Sequence, residues 1–273
     1  MSAGALYLVS TPIGNLGDLS PRAIEVLQSV ETILAEDTRH SRPMLDRFAV
    51  QTPLLAHHEH NEAKSTPALV ARLEGGARLA LISDAGTPLL SDPGARLVRA
   101  AIDAGVSIVP VPGASALLAA LVGSGLDATS FTFYGFLARK GKERSAVVRE
   151  VVESRHTSVL YEAPGRVGDT LADLVEAGAG DRQAVVAREL TKQFEEFRRG
   201  TVSELALSYE ETAPRGEVVL LVSGAVAVAL DEEALRVRAG TLRGQGLSAR
   251  DVVRVLMEES AAPRNLAYRL AHE

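Results

Sequence analysis

The amino-acid sequence predicts an α/β protein of two units followed by a helical tail. Short apolar runs alternate with helical stretches from residue 5 to residue 222, the pattern of a mostly parallel, helix-covered sheet. This alternation pauses at Gly123-Ser124-Gly125 and then restarts, and from Asp231 onward only helical periodicity remains. The 273 residues, 46% of them hydrophobic, are enough for more than one core. The expected units are residues 1–124, 125–228 and 229–273.

Ala5–Ser10 reads as a buried strand. Ser20-Pro21 is a good helix entry, because serine caps orphan amides and proline fits the first turn; Ala23, Ile24, Leu27 and Val30 then recur at helical spacing. Thr32–Ala35 and Arg78–Ser83 are strands that end in polar residues, Glu36-Asp-Thr-Arg-His40 and Asp84-Ala-Gly-Thr-Pro88. Asp92-Pro93 opens a helix to about Ala104, Ser107–Val111 is a strand, and Pro112-Gly-Ala-Ser115 leads into the small-residue helix Ala116–Leu121. The second unit has strands at Phe131–Tyr134, Thr157–Tyr161, Ala184–Arg188, Glu195–Arg199 and Glu217–Val222. Its helices lie near Glu143–Glu153, Arg166–Ala177 and Thr201–Tyr209. In the tail, Leu247–Met257 and Arg264–Leu270 read as two short amphipathic helices joined by a turn holding Pro263.

Composition limits the chemistry. With no cysteine there is no disulfide, thiolate nucleophile or cysteine-based metal site. A net charge of -6 argues against nonspecific coating of nucleic acid, although a local basic patch can still steer a polyanion. No run of about 18 apolar residues occurs, and the first ten residues lack the basic start and cleavage site of a secretory signal. A cytoplasmic protein with no membrane partner is the expectation.

The connection after the first strand tests a dinucleotide site. Aligned on G-x-G-x-x-G it reads Pro12-x-Gly14-x-x-Gly17, with Glu36-Asp37 about 20 residues beyond, where a ribose-binding carboxylate is expected. Proline in the first position fixes φ and donates no amide, so the fingerprint fails where its mechanics matter. No Gly-Lys-Ser/Thr follows either, which excludes a P-loop.

Ser83-Asp-Ala-Gly-Thr-Pro-Leu-Leu-Ser-Asp-Pro-Gly94 is longer than a turn requires and favours a ligand loop, with Asp84 as acceptor for an amine or hydroxyl and Gly86 allowing close backbone approach. His57-His-Glu-His-Asn61 lacks the helical i,i+4 spacing of a zinc pair and reads as a solvated polar loop; no metal is expected. Arg139, Lys140, Lys142 and Arg144 place four cations within six residues, a density suited to phosphate contacts.

Taken in series, Ser10-Thr-Pro-Ile-Gly-Asn15, Glu36-Asp-Thr-Arg39, His58-Glu-His-Asn61, Ser83–Pro88, Val111-Pro-Gly113, Tyr134-Gly-Phe-Leu137, Arg188-Glu-Leu-Thr-Lys192 and Arg215-Gly-Glu217 resemble the ribosomal RNA small subunit methyltransferase I family, over nearly the whole chain. That family belongs to the tetrapyrrole methylases, a class of S-adenosyl-L-methionine enzymes. The resemblance implies two α/β domains of the tetrapyrrole methylase type with the cofactor in the inter-domain cleft, plus a small C-terminal helix-turn-helix-like appendage. It also implies a homodimer, with 16S rRNA of the small ribosomal subunit as partner and 2'-O-methylation of a cytidine in the decoding region as activity.

By the same resemblance Ile13, Asp84, Gly86, Thr87, Ser115, Ala116, Glu162, Leu190 and Gly216 hold the cofactor. S-adenosylmethionine has no pyrophosphate, so Pro12 is no defect: the turn walls the cleft instead. A ribose hydroxyl is a poor nucleophile, so Asp37, Glu59 or His60 is expected as proton acceptor, and Arg39 and Lys192 as groups that steady developing charge or fix a phosphate. The tail arginines Arg236, Arg238, Arg243, Arg250, Arg254, Arg264 and Arg269 either touch rRNA or serve packing. Two alternatives stay open: a tetrapyrrole C-methyltransferase of the same fold, and a noncatalytic ribosome-assembly factor.

Overall fold

The computed structural model describes residues 4–225, 231–260 and 262–273. The chain packs as two compact units, Met1–Ser223 and Gly224–Glu273. The boundary expected at residues 228 and 229 lies outside the described residues.

The first unit contains two five-stranded sheets. In the first, β1 (Ala5–Val9), β2 (Thr32–Ala35), β3 (Leu54–Ala56), β4 (Arg78–Ile82) and β5 (Ser107–Val111) are all parallel, in the order β3-β2-β4-β1-β5. Parallel neighbours require crossovers, supplied by α1 (Pro21–Ser29), α2 (Thr38–Arg47), α3 (Glu59–Glu74) and α4 (Ala95–Asp103). Helices on the sheet bury consecutive strand residues: Ile33 and Leu34 are both fully buried, as are Leu79 and Ala80.

Helix α5 (Ala116–Ser124) follows β5 but packs on the second sheet, where Leu117, Ala120 and Leu121 meet Val159, Val185, Val219 and Leu221. That sheet comprises β6 (Phe131–Phe136), β7 (Thr157–Glu162), β8 (Gln183–Arg188), β9 (Glu196–Thr201) and β10 (Val218–Val222), in the order β6-β7-β10-β8-β9. Only β6 and β7 pair in parallel; β10 runs antiparallel between β7 and β8, so Val218 sits beside Glu162 and Arg188. The start of β10 is thereby brought to the ends of β7 and β8. Helices α6 (Lys142–Glu153), α7 (Val167–Leu174) and α8 (Val202–Ser208) complete this layer, and the cap of α8 is reciprocal: Glu204 N–H donates to Thr201 Oγ1 at 3.1 Å and Thr201 N–H to Glu204 Oε2 at 2.8 Å.

The second unit holds three helices, α9 (Glu232–Gly244), α10 (Ala249–Ser260) and α11 (Arg264–His272), around Leu235, Leu242, Val252, Leu256 and Leu270. The sequence had suggested only the latter two. Its arginines are largely engaged within the unit: Arg236 pairs with Glu232, Glu233 and Glu273, Arg238 with Glu259, Arg254 with Glu258, and Arg269 with Glu232. Among the described residues no helix is long and apolar enough to cross a membrane.

Three local expectations are corrected. Residues 57–61 are not a solvated loop: His57 is fully buried with Nδ1 3.0 Å from Ser65 Oγ, and His58 N–H donates to Asn61 Oδ1 at 2.9 Å as the cap of α3. Thr38, Arg39 and His40, expected only as polar residues at a strand end, open α2, which runs to Arg47. Asp92-Pro93 does not open a helix; α4 begins at Ala95, because Gly94 (φ 118°) is left-handed and breaks the chain direction ahead of it.

Candidate functional site

The ends of β1, β4 and β5 are tied together by side chains on the loops that follow them. Thr11 and Gly86 exchange both backbone hydrogen bonds, at 2.8 and 3.0 Å, an arrangement made possible by the positive φ of Gly86 (81°). Ser10 Oγ lies 3.0 Å from Thr87 Oγ1, which donates to Ala114 O at 3.1 Å. Asp84 Oδ1 accepts from Asp37 N–H at 3.1 Å, joining the end of β4 to the end of β2.

The loop after β1 then reaches the second sheet. Asn15 N–H donates to Thr191 Oγ1 at 3.1 Å, and Gly17 N–H to Asn15 Oδ1 at 2.9 Å. These two amides are therefore committed to the protein, unlike those of a phosphate cradle. In the loop after β8, Lys192 Nζ lies 2.9 Å from both Glu189 Oε1 and Glu217 Oε2. Partial burial opposes the Lys192 charge, but the hydrogen bonds to Glu217 and Glu189 outweigh it and hold the ammonium's pKa above its ordinary value.

Between these loops lies a cleft of about 330 Å3, the candidate site. Eight of the nine residues expected to hold a cofactor line it: Ile13, Asp84, Gly86, Thr87, Ala116, Glu162, Leu190 and Gly216. The ninth, Ser115, does not; it is buried as the cap of α5, accepting from Leu118 N–H at 3.4 Å. The lining also includes Asp92, Phe136, Tyr161 and Glu217, which the sequence reasoning did not assign to it. A signal for Asp92 was present in the crowding of Asp, Gly and Pro in residues 83–94.

The lining of the cleft is acidic. Asp84, Asp92, Glu162 and Glu217 line it, and among the described residues no lysine, arginine or histidine does; Glu162 and Glu217 are paired from outside the lining with Arg166 and Lys192, which leaves Asp84 and Asp92 as the excess negative charge. Burial, with repulsion from Glu36 and Asp84 only partly offset by a hydrogen bond from Ser83, pushes the Asp92 carboxyl up to about 6. Buried Glu162 is held by Arg166, with Nε at 3.0 Å, and by Thr170 Oγ1 at 2.7 Å. Such a lining suits a ligand with positive charge and disfavours phosphates.

Backbone strain gathers at the same place. Of the five non-glycine residues with positive φ among the described residues, Leu89 (75°), Ser91 (70°), Glu189 (52°) and Thr191 (65°) lie in the loops after β4 and β8. Each costs about 1–3 kcal/mol and persists because its surroundings impose it, a pattern found at ligand clamps.

The remaining expected residues are distributed unevenly. Lys192 borders a second recess of about 240 Å3 that opens beside the cleft. Asp37 caps α2 and pairs with Arg39 at 2.9 Å; the hydrogen bonds from the Arg39 side chain and amide hold its carboxyl down at about 2, which makes it a weak base. Glu59 and His60 are exposed in the first turn of α3 and line neither space.

Arg139 and Lys140 are exposed on a groove of about 720 Å3 that Arg149 and Arg166 also border, and Lys142 is exposed at the start of α6. Arg144 is a correction: it is buried, with Nε 2.6 Å from Asp173 Oδ2 and Nη2 3.0 Å from Thr170 Oγ1, and is not available to a phosphate.

Comparison with known proteins gives a consistent result. Residues 5–206 match the family Tetrapyrrole (Corrin/Porphyrin) Methylases. A relative from Synechocystis named ribosomal RNA small subunit methyltransferase I is 44% identical, covering 99% of this chain and 98% of its own. One of the same name from Pseudomonas aeruginosa is 49% identical, over 87% and 86%. Among solved structures, uroporphyrin-III C-methyltransferase from Thermus thermophilus complexed with S-adenyl homocysteine superposes with a TM-score of 0.58 at 18% identity, covering 81% of this chain and 97% of that one. Diphthine synthase superposes at 0.62 with 15% identity, over 97% and 99%. These superpositions share the fold.

Proposed function

Because the chain belongs to the ribosomal RNA small subunit methyltransferase I family, within the tetrapyrrole methylases, we propose that it transfers a methyl group from S-adenosylmethionine to small-subunit ribosomal RNA. The finer reading is 2'-O-methylation of a cytidine ribose in the decoding region of 16S rRNA. The observation that carries the proposal is the acidic cleft: Asp84 and Asp92 line it beside Glu162 and Glu217, whose charges are met by Arg166 and Lys192, and among the described residues no cation lines it. The sulfonium and ammonium of S-adenosylmethionine, less its one carboxylate, leave a net positive charge that this lining complements. ATP or a nicotinamide dinucleotide would bring phosphates against carboxylates.

When bound, the cofactor supplies an electrophilic methyl group. The protein's contribution is then to hold donor and acceptor in line and exclude water, an orientation effect of roughly 7–11 kcal/mol. Lys192, kept charged by Glu189 and Glu217, borders the recess beside the cleft and steadies negative charge developing on the sugar oxygen. Of the proposed proton acceptors, Asp37 is the least suited because its paired carboxyl is so weakly basic. Arg139 and Lys140 are exposed for phosphate contacts. A homodimer is supported by α5, which is apolar on all sides yet leaves Leu118 and Val122 exposed.

The test is to incubate the protein with methyl-labelled S-adenosylmethionine and undermodified small subunits, then map the label. Label on one ribose of 16S rRNA is the expected result. Label on a tetrapyrrole but not on RNA, or on nothing, refutes the proposal.

A further inference from the structure

The recess beside the cleft holds an orphaned group. It shares Ile13, Asp84, Ala85 and Glu217 with the cleft, and its other walls include Leu16, His40, Ser41, Met44 and Lys192. Ser41 is 3% exposed, and its Oγ is buried without a hydrogen-bond partner. Among the described residues lining either space, it is the one buried side-chain polar atom in that state. The Ser41 amide is already used in α2, donating to Asp37 O at 3.0 Å, so the hydroxyl adds nothing to the helix. Leaving such a group unmet costs stability, and its retention points to a ligand that meets it.

Resting on the function proposed above, we propose that this recess receives the acceptor nucleotide, turned out of the RNA stack. Methyl transfer requires the acceptor oxygen to contact the donor's methyl carbon, so the acceptor space must be continuous with the donor cleft, and the shared residues make it so. The side chains of Leu16 and Met44 present apolar surface to the face of one base, while the Ser41 hydroxyl, both donor and acceptor, meets a polar base edge. Lys192 stands where the sugar enters. A recess of about 240 Å3 suits one nucleoside and not a tetrapyrrole macrocycle. Enzymes that act on nucleotides within structured RNA or DNA extrude the target into such pockets.

Two substitutions and one direct observation test the assignment. Ser41→Ala removes the hydroxyl at nearly constant volume, and Leu16→Trp narrows the recess from a residue that is 41% exposed. The expected result is a fall in kcat/KM for undermodified small subunits of about three- to tenfold for Ser41→Ala, and a larger fall for Leu16→Trp. Calorimetric affinity for S-adenosylmethionine should stay at the wild-type value in both.

Met44 is one of three methionines, so labelling their methyl carbons gives a reporter inside the recess. Cytidine 5'-monophosphate added with S-adenosylhomocysteine should shift the Met44 signal in the wild type and not in Leu16→Trp. If subunits are methylated but Met44 is silent and both variants keep wild-type kcat/KM, the recess assignment is overturned and the proposed function stands. If Met44 responds but no subunit is methylated, the recess is upheld and the ribosomal substrate is not.

Discussion

Lowering the pH should weaken binding of S-adenosylmethionine through Asp92, and Asp92→Asn should remove the effect. The Asp92 carboxyl lines the cleft and is raised to about 6 from 3.8, by burial first and then by repulsion from Glu36 and Asp84. A cationic ligand favours the ionised form. At pH 7.5 that form predominates, and at pH 5 it falls to about a tenth, so affinity should drop about tenfold. The ligand's amino group titrates at about 8 and its carboxyl at about 3.5, both outside this window. Glu36, also raised by burial first and then by repulsion from Asp84, does not line the cleft.

The sign for stability is opposite. Between 3.8 and about 6 the native state holds a proton that the unfolded chain has lost, so the free protein loses stability from this group as pH rises through that window. Asp92→Asn should therefore melt above the wild type at pH 7.5 and alongside it at pH 4. Calorimetric titrations from pH 5 to 7.5 supply the binding arm. A wild-type affinity that changes less than about twofold, or an Asn variant with the same pH dependence, would refute the reasoning.

Replacing Arg139 and Lys140 together by Glu should weaken subunit binding and reduce the dependence of log affinity on log salt by about one to two units, with cofactor affinity unchanged. Arg144→Ala, by contrast, should lower stability by about 1–3 kcal/mol in urea unfolding, because Asp173 and Thr170 lose their partner; an unchanged midpoint contradicts its structural role. Gly94→Ala places a Cβ 2.5 Å from Leu81 Cδ2 at a φ of 118° and should cost about 1–3 kcal/mol, read as a lowered melting temperature.

Nine of the ten strands among the described residues were legible, the buried ones such as Arg78–Ile82 because they appear as continuous apolar runs; β3 was not, since it is three residues long and none of them is fully buried. Helices α1 and α8 were legible from Ser20-Pro21 and from the Thr201 cap. Helices α2 and α3 were not: Pro43 and Pro67 interrupt them, and their buried faces are sparse, with only Thr66, Leu69 and Leu73 buried in α3. In α9, Gly240 and Gly244 and an arginine-rich composition masked the helical period.

For the site, motif matching brought out Asp84, Gly86 and Gly216, since short fixed loops carry them. It did not bring out Glu217 as a cleft residue, because only the antiparallel course of β10 carries its start to the ends of β7 and β8. Arg144 shows the converse limit: a cluster of cations in sequence does not tell which one turns inward to meet an aspartate on α7.

The most direct test of the account is a calorimetric titration of the free protein at pH 7.5 with S-adenosylmethionine, run beside one with ATP. Saturable binding of the sulfonium compound at one site per chain, abolished by closing the cleft with Ala116→Trp, together with no heat from ATP, is the predicted result. ATP binding, or the absence of any S-adenosylmethionine binding, would contradict the claim that the carboxylate-lined cleft is built for a cationic methyl donor.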